Sequence, residues 1–101
     1  MDKLLQILKG LGIPFAYDHF AEGEAPEPPF ICYLVYGSNN MFADDSVFLK
    51  VERVYVELYT DKKDPVTEAA LEVALAPYCW DKTETYIESE RLFQITYGIE
   101  V

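Results

Sequence analysis

The stretch Val54–Tyr78, VYVELYTDKKDPVTEAALEVALAPY, changes period half-way and so decides the fold class. Up to Tyr59, Val54, Val56 and Leu58 point one way, while Arg53, Tyr55, Glu57 and Tyr59 point the other. That is the pattern of a strand, whose successive side chains leave opposite faces of a sheet. From Asp64 onward the spacing is helical. Asp64 suits a cap, Pro65 suits the first helical position, where its missing N–H costs nothing, and Glu68 suits the positive end of the dipole. Val66, Ala69 or Ala70, Val73 and Ala76 form the expected buried stripe, and Pro77 ends the helix.

Toward the C-terminus two more strands are expected, roughly Thr83–Glu88 and Arg91–Val101. Phe93, Ile95, Tyr97, Ile99 and Val101 share one face of the second; Gln94, Thr96 and Glu100 share the other. The intervening ESER is short enough for an antiparallel hairpin. Toward the N-terminus, Val47–Tyr59 reads as one long strand, bent or bulged near Lys50. GSNNMFADDS reads as turn, brief strand and turn, with Asp44 and Asp45 capping a turn rather than holding a cation. Phe30–Tyr36 is apolar on both faces, so one face meets the core and the other needs a helix, a loop or a neighbouring subunit. Ile13–Phe20 is a candidate strand that Pro14 confines to an edge. MDKLLQILKGLG sets Leu4, Leu5, Leu8 and Leu11 on one stripe of a short helix that stops at Gly10 or Gly12.

The expectation is a single compact α+β domain over residues 1–101. Its sheet is mixed and mostly antiparallel, of four to five strands, with two helices packed on it. Residues 21–29, AEGEAPEPP, form an exposed acidic and proline-rich loop within that domain. They are not a domain linker, because the residues before them are too few to fold alone.

Eighteen acids against 8 Lys and Arg give a net charge of -10, with no basic cluster to displace counterions from a duplex. An acidic wall instead lets a polyanion pass without sticking. Eight tyrosines suit half-exposed strands at interfaces. Cys32 and Cys79 lack metal or redox spacing and read as buried small hydrophobes. No signal peptide or membrane span is read from the chain, which makes the cytoplasm the expected compartment.

The search for chemistry returns little. No phosphate-binding loop, zinc-protease helix, nucleophile elbow or paired CxxC occurs. His19 is the only histidine, and Asp18 beside it is expected on the opposite face of a strand, out of reach of the imidazole. Glu88 and Glu90 read as solvated turn residues, with salt bridging to a neighbouring subunit as the rival role. No catalytic, metal or cofactor site is expected, and the chain is not expected to be an enzyme.

Several longer phrases carry a resemblance: PFAYDHF, the acidic-proline segment entering PFICYLVYGSNNMFADD, then VYVELYTDKKDP, and the closing ETYIESERLFQITYGIEV. In these the chain resembles the tail terminator, or tail-to-head joining, proteins of long-tailed bacteriophages and prophages of Gram-positive bacteria. The resemblance implies a mixed α/β subunit, monomeric when free, that closes into a ring, typically of six, on the end of a tail tube. Such a ring stops tube growth, presents a surface to a head-completion protein and lets DNA pass through its hole. Assembly would take place in the host cytoplasm and the product would reside in the virion tail.

A ring needs one heterologous contact repeated about an axis. The residues expected to supply it, or to touch the tube protein, are Phe30, Tyr33, Leu34 and Tyr36 of the two-faced strand. Asn39, Asn40, Met41 and Phe42 of the following loop, with Tyr55 and Tyr59, complete the set. A head–tail connector or other minor tail protein, and a non-phage protein-binding adaptor, stay open as alternatives.

Overall fold

A computed structural model of the chain describes residues 1–43 and 46–101. Its elements run α1 (Asp2–Leu11), β1 (Phe15–Tyr17), β2 (Phe30–Ser38), β3 (Met41–Ala43), β4 (Ser46–Leu49), β5 (Glu52–Thr60), α2 (Pro65–Ala74), β6 (Asp81–Ile87) and β7 (Leu92–Glu100). Five strands form one mixed sheet in the order β1-β2-β5-β7-β6, and β3 and β4 form a separate two-stranded ladder. Within the main sheet β1 runs parallel to β2 and the other three pairs are antiparallel. The α+β class, the five strands and the two helices agree with the expectation from sequence.

Both helices lie on one face of the sheet. Leu4 and Leu8 of α1, with Leu71 of α2 and Leu75 just after it, pack on Ile31, Val54, Val56, Leu58, Ile95, Tyr97 and Ile99. The register explains the choice of face. Leu58 pairs with Ile95, Val56 with Tyr97 and Val54 with Ile99, so the apolar sets of β5 and β7 coincide. Burying a side chain of this size contributes about 1.5–3 kcal/mol.

The helix α1 ends at Gly12, whose φ of 72° is a left-handed conformation open to glycine at little cost. Asp64 caps α2: its Oδ1 accepts the Thr67 N–H at 3.1 Å and its Oδ2 accepts the Thr67 hydroxyl at 2.6 Å. The phase of α2 differs from the expected stripe. Glu68, Leu71 and Leu75 are buried, whereas Val66 and Val73 are 80% and 76% exposed. Glu68 tolerates that position because Lys82 Nζ lies 2.8 Å from its Oε1 and Lys63 Nζ 2.8 Å from its Oε2. Lys63 also bonds Glu84, and Lys82 bonds Glu72, which accepts the Tyr97 hydroxyl at 2.7 Å.

The expected long strand from Val47 is two strands, β4 and β5, parted at Lys50–Val51. The β3–β4 ladder prolongs the β2–β5 pair beyond its end. The Asn39 N–H donates to Val51 O at 2.9 Å, and the Val51 N–H donates to Asn40 Oδ1 at 3.1 Å. This arm accompanies a long axis of 49 Å against 28 and 23 Å. The turn expected at Asp44 and Asp45 lies outside the described residues.

Candidate functional site

With both helices on one face, the other face of the sheet is where a partner can be met. Register assigns to it Cys32 and Leu34 of β2, opposite Glu57 and Tyr55 of β5, then Thr96 and Gly98 of β7. Phe30, Tyr59 and Gln94 form the next row toward one end.

At that end the loop between β1 and β2 folds over the sheet. Phe20 meets Phe30 edge-on at 5.5 Å, and Phe30 stacks on Tyr59 at 5.0 Å. Ala25 and His19 line the same cleft of about 340 Å³, with Cys32 and Leu92. The acidic-proline segment is therefore partly a cover for the sheet. Phe30 and Cys32 are buried on a face that no helix reaches among the described residues.

Behind this cover burial works against ionisation of the polar groups. Gln94 Nε2 donates to Tyr59 Oη at 2.8 Å and to Glu57 Oε2 at 3.2 Å. Burial raises the Glu57 carboxyl, the Tyr59 hydrogen bond opposes that, and Asp18 adds to it. Burial, then the charges of Glu57 and Asp18, push the Cys32 thiol up to about 11. Burial likewise pushes Tyr59 up to about 12. A thiol so raised stays protonated at neutral pH, the opposite of a primed nucleophile.

Asp18 and His19 depart from the sequence reading. They lie beyond the end of β1, and Asp18 has φ 62°, so its Oδ2 reaches His19 Nδ1 at 3.0 Å. The pair is exposed, with side-chain accessibilities of 57% and 76%. Cys79 also departs from it: Cys32 is buried as expected, but Cys79 is exposed. Among the described residues no group of three His, Cys, Asp or Glu is placed to hold a metal ion.

The far end of the open face is bare. Tyr36 stacks on Tyr55 at 3.9 Å and 11°. Tyr55 in turn lies over Gly98, where a Cβ would stand 3.7 Å from its ring and 2.5 Å from Asp81 Oδ1. That oxygen accepts the Gly98 N–H at 3.1 Å. Tyr36, Arg53, Trp80, Asp81 and Glu100 bound a shallow cleft of about 400 Å³ here. Glu100 accepts from Asn39 Nδ2 at 2.9 Å and lies 4.0 Å from Arg53, which ties the cleft to the root of the arm.

The expected interface set therefore splits. Phe30, Leu34, Tyr36, Tyr55 and Tyr59 share the open face. Tyr33 belongs to the helix side, paired with Val56 and in ring contact with Phe15 and Tyr17. Asn39 and Asn40 join the sheet to the arm, and Met41 and Phe42 lie on β3. Arg53, Trp80, Asp81 and Gly98 were not singled out from the sequence. The signal for Gly98 was a glycine inside an alternating strand, which marks a close approach.

A scan against protein-family models and a search of curated proteins each return no match for this chain. No helix among the described residues is long and apolar enough to cross a membrane.

Proposed function

We propose that the chain is a structural subunit of a phage tail, a terminator that closes into a ring on the end of the tail tube and helps join tail to head. The observation that carries this reading is the bare end of the open face, with the stacked Tyr36 and Tyr55, beside the β3–β4 arm that Asn39 and Asn40 tie to the sheet. A face and an arm lying side by side suit a heterologous contact, in which the arm of one subunit reaches the face of the next. The resemblance to tail terminators supplies the setting, and the charge of -10 suits a hole through which DNA passes without binding. In this reading the protein works by shape and performs no catalysis.

Gene disruption tests it. The expected result is tails of irregular, excessive length and unjoined heads. Normal tail length with normal head joining would contradict the proposal, and normal length with unjoined heads would favour a connector role instead.

A further inference from the structure

We propose that β6 is a self-pairing edge, along which two copies of the chain join antiparallel about a two-fold axis at Thr83 to make one continuous sheet. This goes beyond the ring reading, whose heterologous contact is centred on the Tyr36–Tyr55 stack and the arm; Trp80 and Asp81 border both.

β6 is the outermost strand and bonds only β7 in the sheet. It has seven residues, exposed from Asp81 to Tyr86. The opposite edge, β1, has three residues and follows Pro14. A long exposed edge is a template for another strand; short edges, prolines and charges are the usual protections, and β6 carries charges in Asp81, Lys82 and Glu84. Only β1 is short and follows a proline.

The sequence of β6 is complementary to itself. Lys82, Glu84 and Tyr86 lie on the helix side, opposite Tyr97, Ile95 and Phe93. Trp80, just before the strand, meets Tyr97 edge-on at 5.4 Å and also borders the cleft at Gly98. Pairing centred on Thr83 sets each Lys82 against Glu84 of the second copy and each Trp80 against its Tyr86. Trp80 and Tyr86 are 37% and 45% exposed. On the other side Thr83 meets Thr83, and Asp81 meets Thr85. Opposite charges and aromatic pairs directly across an antiparallel pair are favourable, and like charges are not. Centring on Lys82 or on Glu84 instead would put like charges face to face. The chosen register also extends the internal series, since Lys82 already holds Glu68 and Glu72 while Glu84 holds Lys63.

The helix above the edge agrees. Glu72 of α2 reaches Lys82, so the flank of α2 bearing Glu72 overlooks β6. Ala69 and Ala76 stand three before and four after Glu72 in the sequence, and the helical repeat puts Ala69 on that same flank, with Ala76 continuing its line just past the helix end. Across the two-fold the two flanks face each other. Small side chains there permit close helix approach.

Light scattering during gel filtration of the full chain should give twice the chain mass, or a multiple that cysteine cross-linking resolves into two-fold pairs. In a Cys79→Ser background, Thr83→Cys places two thiols on the axis, whereas Thr85→Cys places its thiol opposite Asp81. Mild oxidation should cross-link Thr83→Cys at least about tenfold faster than Thr85→Cys, because disulfide geometry tolerates little separation. A monomer at every concentration, or equal rates for the two variants, would overturn the proposal. Light scattering on the unaltered chain decides the matter if a cysteine variant fails to fold.

Discussion

The ring of Tyr36 lies 3.9 Å from that of Tyr55, with 11° between their planes, on a face of the sheet that neither helix covers. Tyr36 stands next to Gly37, at the irregularity between Val35 and Gly37, and is 43% exposed. The stack is thus held at the root of the arm, where the sheet meets solvent.

A stacked pair contributes about 0.5–1.5 kcal/mol, and less where water reaches it. Tyr36→Ala should therefore shift the unfolding free energy by no more than about 1 kcal/mol in urea titration. Its effect on assembly onto tail tubes should be far larger. Loss of fold and assembly together would show that Tyr36 is structural only.

The phase of α2 is tested by two substitutions. Leu71→Ala removes a fully buried side chain from the core and should cost about 2–5 kcal/mol. Val73→Ala, at a position 76% exposed, should stay within about 0.5 kcal/mol in the free subunit. Equal costs would favour the stripe expected from sequence.

That stripe shows where sequence reading ends. Val66 and Val73 are more apolar than Glu68, so spacing alone favours the wrong side of the helix. Glu68 becomes admissible only once Lys82, from a strand fourteen residues on, is seen beside it. The strand faces of β5 and β7 were legible because period two leaves no freedom once one face is apolar. Tyr33 and Tyr36 look alike in sequence. The pleat sends Tyr33 to the helices, and the irregularity before Gly37 leaves Tyr36 on the open side. The three-residue β1 gave no hint of its parallel pairing, and the cleft at Trp80 gathers residues from β2, β5, β7 and the start of β6 that only the sheet order brings together.

Acid unfolding should report the Glu68 network. Burial raises the Glu68 carboxyl, but hydrogen bonds from Lys63 and Lys82 outweigh that and leave it below its ordinary value of 4.5. Lys82 and Tyr97 likewise hold Glu72 down. Their contribution is full above pH 4.5 and is lost as pH falls through the lower folded values. Glu57, raised above 4.5, works in the opposite sense and gains on acidification. Lys82, raised above 10.5 by Glu68 and Glu72, loses its contribution only as pH rises through its folded value. Breaking a buried pair costs about 3–5 kcal/mol, and screening at Lys63 and Lys82, 45% and 33% exposed, lowers the expectation for Glu68→Gln to about 2 kcal/mol at neutral pH. The variant should also have a shallower acid limb in pH-dependent urea titrations. An unchanged limb would remove Glu68 from the account.

Thiol labelling separates the two cysteines. Cys79 is exposed and should react within the native state, whereas buried Cys32, with a thiol raised to about 11, should react only on unfolding. Two equally fast thiols at neutral pH would contradict the cover formed by Phe20 and Phe30.

Electron microscopy of tail tubes polymerised from their tube protein, with and without this chain, tests whether it caps them as a ring. Rings seated on tube ends and growth arrested at a uniform length are expected, with capping lost in Tyr36→Ala. Tubes of the same length distribution with and without the chain, bearing no ring at any concentration, would contradict it.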